Sequence, residues 1–373
     1  MAFLCHECKS CAALVTDRVR RSFIPLGAIQ ALANFAPTLI LIYIPLIAAS
    51  LNARSSEIGL VISTYHAMIF LSGIIFGRLA DLKGRKPFIL LGLGLSSLAF
   101  LGHLLINNLS SLFLVRALAG FCLGMFPSAL ITYAYEKRNN LGVFSSLGSL
   151  GWGIGSVIAG LIGIYRRLYL FSALGFLLAF LIALFFLPAS SVRLTQRFWD
   201  IKVLKKNWRV YLTFLLRHVG AFGIWAIFPL YLAALGANKF WIGIIYSINS
   251  FGQFLFMPLL DRFTSKRLIT YGLVFSSLTF LIFAICRNHW QILPFQVMLA
   301  FSWSALYLGT LKYLMENNEE KATAVGIFNS LMSLSGIIGP VLGGIVGSLG
   351  YRMVMVFASG LTVISFIFFH QRD

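Results

Sequence analysis

Apolar runs broken by short charged turns fill this chain from residue 22 to residue 369. Each run is close to the ~20 residues that an α-helix needs to cross a hydrocarbon core of roughly 30 Å. Twelve are read, at about 22–49, 57–80, 87–106, 111–135, 141–164, 168–187, 209–234, 241–260, 268–286, 290–315, 322–347 and 350–369. Hydrophobic and polar residues do not alternate within them, which argues against the strands of a membrane barrel. Backbone groups in lipid must bond inside their own segment, so the runs are predicted to be helices. One long polar interruption, residues 188–208, divides the first six spans from the last six and reads as a basic, partly amphipathic linker on the membrane surface. The organisation expected is therefore an N-terminal segment (1–21), a six-helix bundle (22–187), the linker (188–208), a second bundle (209–369) and a short tail (370–373).

The two halves repeat. Pro45-Leu46-x-x-Ala49-x-Leu51 returns as Pro229-Leu230-x-x-Ala233-x-Leu235, and Ile58-Gly59 as Ile242-Gly243. Gly92-Leu93-x-x-Ser96-Ser97-Leu98 returns as Gly272-Leu273-x-x-Ser276-Ser277-Leu278, and Gly142-x-Phe144-x-Ser146-Leu147 as Gly326-x-Phe328-x-Ser330-Leu331. A parallel duplication of six spans implies two bundles that face each other across a central site.

Composition agrees with the pattern. Hydrophobic residues make up 59% and charged residues only 11%, against about 25% charged in a soluble domain. The first apolar run follows a basic cluster and is too long for a signal-peptide core, so no cleavable leader is expected. The net charge of +19 would suggest nucleic acid in a soluble protein. Here it sits in the turns, where topology and anionic headgroups account for it. With the N-terminus inside, 22 of the 30 Lys and Arg lie on inner segments, six on outer ones, and Arg116 and Arg217 within spans. That asymmetry predicts cytoplasmic termini and a cytoplasmic linker. Cys122 and Cys286 sit singly in apolar runs and read as packing residues. Cys5-His6-x-Cys8-x-x-Cys11 has a spacing open to zinc or redox chemistry, but one half-site is a weak signal and no metal site is predicted. No phosphate-cradling loop, catalytic carboxylate pair or nucleophile constellation is present, so neither an enzyme nor nucleotide-driven transport is expected, and no cofactor.

Gly77-x-Leu79-x-Asp81-x-x-Gly84-Arg85-Lys86 between the second and third spans is similar to the loop signature of the major facilitator superfamily of twelve-helix secondary transporters. Leu82 stands where that family usually has a basic residue. Arg116-x-x-x-Gly120-x-x-x-Gly124 resembles a second family pattern. Gly339-Pro340-Val341-Leu342-Gly343-Gly344 has the full form of its antiporter motif, and in Gly151-x-x-x-Gly155-Ser156 a serine replaces the proline. The resemblance implies two pseudo-symmetric six-helix bundles. Gly77, Asp81, Gly84 and Arg85 would latch the cytoplasmic side, weakly echoed by Asp261. Arg116, Gly339 and Pro340 would act in conformational coupling.

Read from the residues alone, Arg217 is the notable charge. It lies about nine residues into its span, roughly 13 Å deep at 1.5 Å per residue, with no acidic residue at mid-membrane to pair with it. It either binds an anionic substrate group, hydrogen-bonds within the bundle, or snorkels to the headgroups. His66 and His218 are proton-coupling candidates, against a packing role. Gln30 with Asn34, and Asn249 with Gln253, share helical faces. With Gln296, Trp225, Tyr65 and Trp303 they would line a mixed pocket or bond between helices. The expectation is a monomeric secondary transporter in the cell membrane. It would export a small amphiphilic or weakly anionic molecule, with a proton or ion as a coupling partner. Uptake of a sugar or organic anion, and a non-transporting receptor with the same fold, are the alternatives.

Overall fold

The computed structural model describes residues 24–136, 141–188, 201–260, 262–318 and 321–371. Among these residues there is no strand. The first half runs α1 (Ile24–Ser50), α2 (Ser55–Lys83), α3 (Arg85–Leu101), α4 (Leu109–Ala134), α5 (Leu141–Ile162) and α6 (Tyr165–Phe186). The second runs α7 (Ile201–Ala234), α8 (Lys239–Leu260), α9 (Ser265–Ile285), α10 (Ile292–Asn317), α11 (Lys321–Gly347) and α12 (Tyr351–His370). Among the described residues eleven helical stretches are long and apolar enough to cross a membrane, and in α5 the apolar stretch Ser146–Ile162 is shorter.

Local chemistry marks the ends. The side chain of Asn108 accepts from Ser111 N at 2.8 Å before α4, and Asn288 accepts from Gln291 N at 3.1 Å before α10. The two caps are equivalent positions of the repeat, and each satisfies a donor that a helix start leaves open. Gly84, at φ +95°, turns the chain from α2 into α3 in a conformation that side chains rarely adopt. α1 is broken at Ile42–Tyr43 and restarts at Ile44. Pro45 falls in the first turn of the new segment, where its missing N–H removes no helix bond. Its repeat partner Pro229 lies inside the continuous α7.

α7 begins at Ile201, inside the segment read from the sequence as linker. Val203 and Asn207 are buried there, and the Asn207 and Asn318 amides exchange hydrogen bonds at 2.8 and 3.2 Å. A buried pair of this kind repays extending the helix past the apolar run.

Within the halves α2 packs on α4, α3 on α6, α9 on α10 and α12, and α7 on α11 and α12. The halves meet along two seams, α2 with α11 and α5 with α8. Small residues permit both. A Cβ on Gly59 would fall 3.3 Å from Gly344 Cα, and one on Gly243 would fall 2.8 Å from Gly160 Cα. Backbones approach this closely only where side chains are absent. Ser63 donates across the first seam to the Ile337 carbonyl at 2.7 Å. At the end of the molecule away from the chain termini, Lys239 gathers three contacts with the first half. Its Nζ donates to the Gly163 carbonyl at 2.9 Å and lies 3.9 Å from the Tyr165 ring centroid, and its own carbonyl accepts from Tyr43 Oη at 2.7 Å.

Candidate functional site

Between these two seams the halves line a cavity of about 440 Å³. α1, α2, α4 and α5 supply one wall and α7 to α11 the other. It is largely apolar, and among the described residues no carboxylate lines it.

α7 carries the charged group of the second wall. Arg217 is 2% exposed. Its Nε and Nη2 both donate to Ser276 Oγ of α9, at 3.0 and 2.8 Å. Ser276 donates its hydroxyl to Ser302 Oγ at 3.2 Å, and Ser302 donates to the Leu299 carbonyl at 2.8 Å. The guanidinium carbon is 5.4 Å from the centroids of both Phe280 and Trp303. The charge is therefore held by one hydroxyl and two ring faces rather than by a counter-ion, and its Nη1 bonds to no described residue. A guanidinium at this depth without an acid is costly, and a ligand anion would relieve that cost.

The first wall has a second guanidinium. Arg116 of α4 is 1% exposed and lies 3.6 Å from the Tyr65 ring centroid. Its Nε and Nη1 have no hydrogen-bond partner among the described residues. Between the two cations runs a file of rings. Tyr65 meets His66 at 5.3 Å, His66 meets Phe222 at 4.9 Å, Phe222 meets His218 at 4.9 Å, and His218 stacks on Trp303 at 4.8 Å. The file crosses from one half to the other between His66 and Phe222.

Eight residues singled out from the sequence come together on the wall: His66, Arg116, Arg217, His218, Trp225, Asn249, Gln253 and Trp303. Four others do not line it, among them Tyr65, which is buried against the Arg116 guanidinium. Gln30 and Asn34 face Gly148 of α5, where a Cβ would lie 2.9 Å from Gln30 Nε2, and Asn34 Nδ2 donates to the Gln30 carbonyl at 2.9 Å. Gln296 is fully buried, with both amide atoms unpartnered, at the repeat position equivalent to Arg116. Gly77 packs near Ser128 of α4, Arg85 is buried at the start of α3, Gly339 packs against Val219 and Phe222 of α7 within the second half, and Pro340 meets Gly59 across the α2–α11 seam. The Asp81 side chain, Asp261 and the Cys5–Cys11 cluster lie outside the described residues. No group of three or more His, Cys, Asp or Glu able to hold a metal occurs among the described residues.

Sequence reasoning missed Trp152, Phe222, Tyr246, Ser250 and Phe280 on the wall. For α8 the signal was available: Tyr246, Asn249, Ser250 and Gln253 follow the i, i+3, i+4, i+7 spacing of one helical face.

A profile of the Major Facilitator Superfamily matches residues 26–251 and 210–373. The quinolone resistance protein NorA of Staphylococcus aureus (strain COL) is 23% identical over 336 residues, covering 82% of this chain and 84% of that protein. The multidrug resistance protein MdtG of Citrobacter koseri is 26% identical over 371 residues, covering 90% and 91%. The crystal structure of the nucleoside transporter NupG superposes with a TM-score of 0.77 at 15% identity, over 93% of this chain and 97% of that one.

Proposed function

The chain belongs to the major facilitator superfamily, a family of transporters and not of enzymes, and from that premise we propose that it exports amphiphilic, weakly anionic organic molecules across the cell membrane. One observation carries the substrate class: the acid-free cavity holds Arg217, whose hydrogen-bonding partner is a single serine hydroxyl. An apolar, aromatic-lined wall suits the body of an amphiphile, and the guanidinium suits its acid. Two relatives named for drug resistance support export as the direction. The described contacts at Lys239, Ser63 and the paired glycines close the side away from the termini. With cytoplasmic termini, as the excess of basic residues argues, this shape takes substrate from the cytoplasm. Transport then follows by rocking of the two bundles about the cavity.

The test is counterflow of a quinolone carboxylic acid in proteoliposomes, alongside its uncharged ester. Wild type is expected to exchange the acid, and Arg217→Ala to weaken it at least ~10-fold while leaving the ester unchanged. Transport of acid and ester alike, indifferent to Arg217, sinks the anion reading. Accumulation only into right-side-out vesicles would favour uptake over export.

A further inference from the structure

One face of α8 presents an arrangement that the anion reading does not use. Asn249 and Gln253 both line the cavity, and Gln253 Nε2 donates to Asn249 Oδ1 at 2.5 Å. That bond consumes one donor and one acceptor. Asn249 Nδ2 and Gln253 Oε1 have no other described partner, and neither is shut away from the cavity. Rotating both amides end for end leaves the same result, one N–H donor and one carbonyl acceptor side by side. One turn away on the same face is Tyr246, whose ring lies 5.4 Å from that of Trp225, with Trp152 contributed to the same cavity by α5.

We propose that the Asn249–Gln253 pair is a lactam-recognition subsite, which selects planar ring systems carrying an adjacent N–H and C=O. Such an edge accepts from one amide and donates to the other, while its flat body lies among Tyr246, Trp225 and Trp152. A ligand without the edge strips water from the pair and leaves both amides unpaired, so the subsite discriminates by penalty as well as by attraction. The proposal extends the anion reading to the far end of the same ligand and rests on that reading for the acid alone.

The experiment measures binding to the full-length protein in nanodiscs with two matched pairs. The first is 2-oxo-1,2-dihydroquinoline-4-carboxylate against its N-methyl derivative; the second is quinolin-2-one against N-methylquinolin-2-one, which carries no acid. Wild type is expected to prefer the N–H member of each pair by roughly tenfold. Gln253→Met, close in size, and Asn249→Leu are expected to erase that preference, with the N–H compounds binding more weakly and the N-methyl compounds at least as tightly as to wild type. Equal affinity within both pairs overturns the subsite, even if Arg217→Ala still weakens the acids. A retained N–H preference with no dependence on Arg217 supports the subsite and instead sinks the anion reading. If one variant fails to fold, the other decides.

Discussion

Arg217 and Arg116 bring the same charge into the membrane with different support. Arg217 needs the planar fork: two of its N–H groups converge on one serine oxygen while rings flank the plane. Lysine offers a point charge and no plane, so Arg217→Lys should behave in ligand binding like the alanine variant rather than like wild type. Titration with an organic acid checks this, and full recovery by lysine would mean that charge alone suffices. Arg116 depends on the Tyr65 ring. Tyr65→Leu removes a buried cation–π contact of about 2 kcal/mol, and a lower melting temperature in detergent is expected; an unchanged one would deny the ring that role. At this scale the sequence showed which polar residues enter the membrane, but not what they meet there. Gln30 and Asn34 share a face as their spacing requires, yet that face meets α5 and not the cavity. Helical periodicity relates residues within one helix and is silent on which neighbour takes which face.

Among elements, the spans were the most legible feature, because the cost of burying backbone in lipid leaves few alternatives. The expected 57–80 and 268–286 correspond to Ser55–Lys83 and Ser265–Ile285. The early start of α7 was hidden, since it depends on Asn207 meeting Asn318 from a distant part of the chain. The seams between halves were half visible: their glycines stand out in sequence, while their partners do not. Gly243 lies against Gly160, so Gly243→Val cannot be accommodated without parting α5 from α8. With native cysteines replaced by serine and Ile62→Cys as reporter on the cavity wall, this variant should label several-fold faster with an impermeant thiol reagent added from the side away from the termini, because the seam that blocks entry there is built on close backbone approach. Unchanged labelling would show that the α5–α8 seam does not close that side.

At the scale of the molecule, the duplication has kept its architecture and redistributed its charges. The position equivalent to Arg116 is Gln296, and that equivalent to His218 is Asn34. Each half thus brings one guanidinium from a non-equivalent helix, and the cavity is asymmetric within a symmetric frame. Closure on the far side gathers at Lys239, by its side chain to Gly163 and Tyr165 and by its backbone to Tyr43. Lys239→Met with Tyr43→Phe should shift the population toward opening on that side, read as a longer distance between spin labels placed at Asn52 and Asn238. An unchanged distance would assign closure to the glycine seams alone. Lys239 also bears on how this protein can drift over generations. Its carbonyl bond to Tyr43 persists whatever side chain stands at 239, so replacing the lysine removes only part of the closure, and intermediate variants stay viable. The phenol of Tyr43 has no such redundancy. Sequence change in a population should therefore accumulate at 239 before it is tolerated at 43.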